Sequence, residues 1–398
     1  MVIGGSISGL FSALYLRRQG WQVDVFERSP AALVGRGAGI MTHPEMRAAL
    51  KELGLDTARH FGVPIAGRLV LDAAGAVIAR RACPQIATSW NRLFEMLRGA
   101  LRAGTYHLGK DLRHVSQDAG EVAAHFTDGA SEAGSLLVAA DGFRSAVRAQ
   151  LLPAALPRYA GYVAWRGLLE EELALPVLGR ELFDSLSFFL PPGEQFLGYP
   201  VAGPGNDLRA GHRSWNIVWY RPADEVRDVP RLLTDDAGHT HELSIPPPLI
   251  ARGVVADLRT AAEHLLPPPF KAVMRLVEHP FLQPIYDLES AATAFGRVAL
   301  VGDAAFVIRP HVGGGVVKAA QDAAALAAAL EEHEDVEAAL RAYQSRRIGV
   351  GRRYVAQARR LGSYLRYAFD SEADRATAAF HAAPEQVLAE TALLDFMR

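Results

Sequence analysis

The chain has 398 residues, half of them apolar, enough for a large core and for two domains. A formal net charge of −2 and a pI near 6.7 leave no global basic field to draw nucleic acid. Cys83 is the only cysteine, which excludes an intramolecular disulfide and a cysteine-based metal cluster and suits a reducing cytoplasm. Residues 1–16 read as strand, glycine turn and helix, not as a signal peptide. The Ala-rich run from Ala319 to Leu330 contains Gln321 and Asp322 and is too short to span a bilayer. The expectation is a soluble, cytoplasmic protein without a membrane anchor. Only Met1-Val2-Ile3 precede the first glycine, so the first strand is very short, as if the native start lay a few residues upstream.

In chain order, residues 1–27 read as β-α-β, with a helix over Phe11–Arg18, a stop at Gly20 and a strand over Gln22–Phe26. An amphipathic helix is expected over 45–54, closed by Gly54. Arg68–Leu71 and Ala76–Ala79 read as a hairpin around Asp72-Ala73-Ala74-Gly75. Helix follows at Asn91–Arg102, then strands at Val122–Phe126 and Ser135–Ala139. Leu152-Pro153-Ala154-Ala155-Leu156-Pro157 has linker composition. From Tyr159 to about Asp287 aromatics and strands dominate, at Tyr162–Trp165, Leu186–Phe189, Phe196–Tyr199 and Trp215–Tyr220. A strand over Arg297–Val301, a helix from about Gly315 and helical sequence to Arg398 complete the chain.

Three motifs carry chemistry. The first, Gly4-Gly5-Ser6-Ile7-Ser8-Gly9, follows a strand and opens a helix. The dinucleotide fingerprint places glycine at its first, third and sixth positions, and here Ser6 takes the third. If that site needs a positive φ, serine costs about 1–2 kcal/mol. A helix N-terminus returns roughly 0.3–1 kcal/mol per anionic contact. Glu27 ends the second strand, where an acid accepts from ribose hydroxyls and disfavours a 2′-phosphate. Arg28 beside it suits stacking on adenine, or plain solvation. The second motif, Leu136 to Arg148, is an apolar strand running into Asp141-Gly142, and Asp141 and Arg148 suit an internal pair. In the third, Gly302-Asp303 ends a buried strand. A carboxylate there suits the ribitol hydroxyls of a flavin, and the loop Pro310–Gly315 offers backbone N–H groups to the ring system. The bland reading of each motif is a strand, a turn and a capped helix.

Together these stretches resemble the FAD-dependent aromatic hydroxylases, the single-component class related to p-hydroxybenzoate hydroxylase, over at least residues 2–325. Ala160–Gly167, Tyr199-Pro200, Arg309-Pro310-His311 and Lys318-Ala319 are similar to the subgroup acting on dihydroxypyridines. Departures are Phe306 in place of His, Gly314 in place of Gln, Val317 in place of Asn, and Trp90 where the class often has Arg. The resemblance implies an α/β fold, with a Rossmann-like FAD-binding domain (1–63, 84–157, 286–345), a β-sheet substrate domain (64–83, 158–285) and C-terminal helices (346–398). It implies FAD contacts from Gly4, Ser6, Ile7, Ser8, Gly9, Glu27, Arg28, Leu112, Asp141, Gly302, Asp303, Pro310, Gly313, Gly314, Gly315, Val316 and Val317.

The implied reaction uses NADH or NADPH as transient reductant, with O₂ delivered through a C4a-hydroperoxide to an activated ring, and needs no metal. The partners are a small aromatic substrate and O₂, with no nucleic acid and no membrane, and a homodimer is the expected assembly. His311, His43, Tyr199 and His212 are the candidates for assisting ring deprotonation, with His311 first because Pro310 and the glycine run fix it. Trp219 and Tyr220 are further pocket candidates. Arg166 and Arg309 suit a substrate oxyanion or an internal ion pair equally. Other flavin enzymes, such as a halogenase or an isoprenoid reductase, and a non-catalytic flavin-binding protein stay open at this stage.

Overall fold

The computed structural model describes residues 1–31, 33, 39–55, 57 and 61–397. A six-stranded sheet runs in the order Ala294–Phe295, Val298–Leu300, Leu137–Ala139, Val2–Ile3, Val25–Glu27, Tyr106–Leu108. All its pairings are parallel except that of the edge strand Ala294–Phe295. The strands are short and apolar on both faces, as a covered parallel sheet requires. Alternation sorts the side chains. Val2, Val25, Val138 and Ala299 face the helices Ile7–Arg18 and Gly315–Glu332. Ile3, Phe26, Ala139 and Leu300 face a three-stranded antiparallel sheet through Val115, Val122 and Phe126.

A nine-stranded sheet forms the second layer system, ordered Phe306–Val307, Phe281–Glu289, Arg158–Glu170, Ser214–Pro222, Gln195–Val201, Leu186–Phe189, Val63–Leu71, Val77–Ser89, Gly39–Met41. Its central register sets Trp165 opposite Trp219 and Ala164 opposite Tyr220. The period of two sends Val163, Trp165, Trp215 and Trp219 to one face, covered by helices Glu171–Phe183, Arg252–Leu265 and Pro268–Leu276. Tyr162, Ala164, Tyr199, Val218 and Tyr220 go to the other face.

Those three helices correct the expectation that strands dominate 159–287. Val254, Leu258 and Ala262 recur every four residues and are buried, a helical stripe that the aromatic strands around it overshadow. Glu171–Phe183 hides its pattern behind Pro176 and a non-helical Gly179. Other shifts are smaller. The second strand is Val25–Glu27 rather than Gln22–Phe26, and the hairpin arms extend to Val63–Leu71 and Val77–Ser89. Helix Val336–Leu361 runs unbroken past residue 346. Helices Glu372–Ala382 and Pro384–Glu390 follow it, and Val387, Leu388 and Ala392 pack against the tyrosine-bearing face of the large sheet.

Candidate flavin and substrate site

The C-terminal ends of Val2–Ile3, Val25–Glu27 and Leu137–Ala139 open into a cavity of about 320 Å³, lined among others by Gly4, Ser6, Glu27, Arg28, Trp90, Leu112 and Asp141. Gly4 has φ +100°, and a Cβ on it would stand 2.3 Å from the Ala140 carbonyl oxygen. Only glycine lets the turn pass that strand. Ser6 occupies the position before the helix with φ −82°, so the left-handed penalty considered for it does not arise. The Glu27 carboxylate accepts from Gly5 N at 2.8 Å and Ser29 N at 2.9 Å, tying the two turns that frame the cavity. Each oxygen keeps lone-pair capacity for a ribose hydroxyl.

The second and third motifs meet through Arg148. Its guanidinium donates to the carbonyls of Phe143 at 2.6 Å and Ala304 at 3.0 Å, so it staples the Asp141 turn to the Asp303 turn and does not pair with the Asp141 carboxylate. Gly302 has φ +59°, and a Cβ on it would stand 2.3 Å from Ser8 Oγ. A buried network holds its peptide on both sides. Lys318 Nζ donates to Gly302 O at 2.6 Å, Gly302 N donates to Asp322 at 3.0 Å, and Arg347 donates to Asp322 at 2.7 Å. Asp322 and Arg347 were not among the expected residues. The only signal for them was a lone acid in an alanine-rich helix.

Two polar atoms around this junction lack partners among the described residues: Ser8 Oγ and Asp141 Oδ1 are buried without a hydrogen bond. Asp303 stands exposed at the adjoining turn. Burial raises the pKa of Asp141 above the ordinary carboxylate value. Buried polar groups without partners cost stability, so this set fits a ligand rich in hydroxyls and phosphate. Pro310, Gly313, Gly315 and Val316 line a neighbouring cavity, whereas Gly314 backs onto Tyr354 and Leu394 and Val317 is core.

That neighbouring cavity, about 190 Å³, is also lined by Met41, Arg166, Leu197, Tyr199, Val218, Tyr220 and His311. His311 sits in the short turn Pro310–Val312. Its Nε2 lies 2.7 Å from the Tyr162 hydroxyl, and its Nδ1 is buried without a partner. Burial first, and the charges of Arg309 and Arg166 second, push its pKa down to about 3, so the ring is neutral. Burial raises Tyr162 and Tyr199, and takes Tyr220 up to about 12. All three stay phenols at neutral pH. The Tyr199 hydroxyl donates to Gly39 O at 3.0 Å.

The two arginines separate. Arg309 donates to Asp287 at 2.8 Å. Arg166 makes no hydrogen bond or ion pair among the described residues, its Nε is buried, and it lines the cavity. The structure brings His311 and Tyr199 together but not the other two candidates. His43 lies behind the glycine loop, Nε2 3.1 Å from Gly313 O, and burial lowers its pKa. His212 lines a separate polar cavity with Glu170 and Asp207, because its loop precedes the strand Ser214–Pro222 at the far end from Tyr220. Trp219 points to the opposite face and donates to Glu194 at 2.7 Å.

A family model described as "FAD binding domain" matches residues 289–358, and one described as "FAD binding domain-like" matches 159–287. The 2,6-dihydroxypyridine 3-monooxygenase of Paenarthrobacter nicotinovorans is 32% identical over 92% of this chain and 91% of that protein. The chain belongs to the FAD-binding monooxygenase family. The aurachin C monooxygenase/isomerase of Stigmatella aurantiaca is 31% identical over 91% of this chain and 88% of that protein. Among solved structures, 2,6-dihydroxypyridine-3-hydroxylase from Arthrobacter nicotinovorans superposes with a TM-score of 0.85 at 32% identity, covering 93% of this chain and 94% of that one. A variant of Klebsiella pneumoniae HpxO complexed with FAD gives 0.76 at 26% identity, covering 98% and 94%. As an FAD-dependent monooxygenase the protein is an enzyme with an α/β fold, and the orphaned Ser8 Oγ and Asp141 Oδ1 fit that hydroxyl-rich cofactor. Among the described residues no helix is long and apolar enough to cross a membrane.

Proposed function

We propose that the enzyme hydroxylates a small ring bearing a phenolic or pyridinolic oxygen, using NADH or NADPH and O₂. The balance is one ring C–H converted to C–OH, one water formed and one nicotinamide oxidised. The observation that carries this reading is Arg166, an unpartnered guanidinium in a cavity whose other lining is aromatic, aliphatic or neutral. A site of about 190 Å³ is smaller than the ~300–1,000 Å³ typical for drug-sized ligands and suits a single ring.

Gly4, Ser6, Glu27 and Asp141 are placed to hold the nucleotide half of FAD, and Ser8, Asp303 and the 310–316 loop the flavin half. Bound FAD supplies the activation of O₂. The chain's own part is to seat and charge the ring. Its oxyanion pairs with Arg166 in a desolvated site, where the attraction is far stronger than in water. With Tyr162 donating to Nε2, neutral His311 carries its proton on Nδ1 and offers a second donor. Apolar Met41, Leu197 and Val218 exclude water. An ionised ring is more electron-rich at the carbon to be attacked. The relatives' names point to the same chemistry, a dihydroxypyridine in one case and salicylate in another.

The test is NADH and NADPH oxidation with O₂ uptake, with and without 2,6-dihydroxypyridine and a panel of phenols, scoring hydroxylated product against H₂O₂. Stimulation with product supports the proposal. Peroxide alone from every ring rejects it.

A further inference from the structure

Among the described residues, the most deeply buried cation outside the flavin cleft is Arg68, on the strand Val63–Leu71, with no exposed surface at all. Nothing in the chemistry above uses it. Its guanidinium donates to Leu388 O at 3.0 Å, Thr391 O at 2.6 Å and Ala392 O at 3.5 Å, and to Gln85 Oε1 at 2.6 Å. Gln85 in turn donates to Ala392 O at 3.2 Å. Three of Arg68's four acceptors are thus backbone carbonyls at the end of helix Pro384–Glu390 and just beyond it.

Two of those carbonyls belong to residues that close the ring cavity. Thr391 and Ala392 line it. Ala392 N donates to His311 O at 2.7 Å, and a Cβ on Gly313 would stand 3.0 Å from Ala392 Cβ. Ala392 also holds a left-handed φ of +52°. A residue with a side chain keeps that conformation only where its surroundings impose it, and here the Arg68–Gln85 pair grips the carbonyls on either side of it.

We infer that Arg68 is a positioning residue: through Leu388, Thr391 and Ala392 it clamps the 384–397 segment as the wall of the ring cavity and fixes the backbone of His311. The inference rests on the assignment of that cavity to the ring. The planar fork of arginine reads several carbonyls at once, and lysine reaches fewer. When the clamp is lost, Thr391 and Ala392 leave the wall, water enters, and the ring is held less well. The two electrons delivered by the reduced nicotinamide then take O₂ to H₂O₂, and the ring C–H is left intact.

The experiment compares holoenzyme of wild type, Arg68→Met, Arg68→Lys and Gln85→Leu. Amide hydrogen exchange is followed over 384–397 and 310–316, with ring affinity from perturbation of the flavin spectrum, KM, and product formed per NAD(P)H. Arg68→Met is expected to speed exchange in both segments, raise the ring's Kd and KM by about tenfold and shift product toward H₂O₂. FAD content and NAD(P)H oxidation should stay near wild type, and Arg68→Lys should recover part of each loss. If Arg68→Met does not fold, Gln85→Leu must show the same pattern in weaker form. Unchanged exchange at 384–397, or faster exchange with unchanged KM and coupling, overturns the inference. If wild type turns over no ring, the proposed function falls on that result alone. Exchange and flavin-detected ring binding then judge the clamp separately.

Discussion

The Tyr162 hydroxyl lies 2.7 Å from His311 Nε2, and both residues are buried. The tyrosine comes from the large sheet and the histidine from the turn before helix Gly315–Glu332, so one hydrogen bond joins the two walls of the ring cavity. Burial first, then the charges of Arg309 and Arg166, keep that histidine uncharged. Its pKa of about 3 keeps it neutral through the working range, and a neutral imidazole adds no second cation beside Arg166.

That neutrality has a sign in stability. The unfolded histidine, near pKa 6.5, takes up a proton that the folded one refuses, so the unfolded state binds more protons between about pH 6.5 and 3. Stability therefore falls as pH drops through that window and is unaffected by His311 above it. His311→Asn removes the effect. The difference in unfolding free energy between wild type and variant should move in the variant's favour by about 1.4 kcal/mol per pH unit below 6.5. Denaturant melts of both proteins at pH 7.5, 6 and 5 check this, and parallel pH profiles reject it.

Arg166 and Arg309 should respond oppositely to methionine. Arg166→Met removes a half-buried cation without a partner among the described residues and keeps its volume, so Tm should hold or rise. Ring affinity should fall about ten- to a hundredfold, the scale of a charge-assisted hydrogen bond at roughly 1.5–3 kcal/mol. Arg309→Met breaks a bond to Asp287, which Arg359 still neutralises at 2.6 Å. A loss of about 1–3 kcal/mol in stability is expected, read by melting, with a smaller change in KM. Equal effects on KM would remove Arg166 as the anion's partner.

Much of the candidate cofactor site was legible because its residues are consecutive. Gly4 to Gly9 and Gly302-Asp303 are local patterns whose turns need glycine, and the strand before each is short and apolar. The ring cavity was legible only in part. His311 and Tyr199 sit in the stretches that carry the resemblance, but His43 and His212 are equally good donors on paper, and only topology sends one behind the glycine loop and the other to the far end of its strand. The choice between Arg166 and Arg309 depended on whether an acid stood within reach, and Asp287 is 22 residues from Arg309 in sequence. Arg68 was invisible for the same reason. Three of its four partners lie some 320 residues away and are backbone carbonyls, which leave no trace in residue type.

Lys318 should matter to the cofactor although it faces no ligand. Its ammonium is buried against Gly302 O and stands 3.6 Å from Asp322. Lys318→Met leaves the Gly302 carbonyl with only the Ala305 N–H at 3.2 Å and Asp322 with Arg347 as its one cation, beside the Gly302 N–H. Loss of one buried charged hydrogen bond costs about 1.5–3 kcal/mol, divided between folding and the flavin that we propose the Gly302-Asp303 turn helps to hold. FAD titration by fluorescence should show weakened binding by about tenfold or more, and melting of the apoprotein a lower Tm.

The first glycine motif offers a contrast within three residues. Gly4→Ala places a Cβ 2.3 Å from the Ala140 carbonyl in a left-handed backbone, so the turn must open and the strand pairing of Ile3 with Ala139 must strain. Ser6→Gly meets neither problem. Ser6 has φ −82° and its side chain makes no capping bond, and exchanging a polar N-cap for glycine costs only a few tenths of a kcal/mol. The expected outcome is loss of most bound flavin and a clear drop in Tm for Gly4→Ala, against near-wild-type flavin content and melting for Ser6→Gly. Absorbance of the purified proteins at the flavin bands, ratioed to protein, measures both. If Ser6→Gly also loses flavin, the serine hydroxyl contacts the pyrophosphate directly, and the third position contributes a bond as well as space.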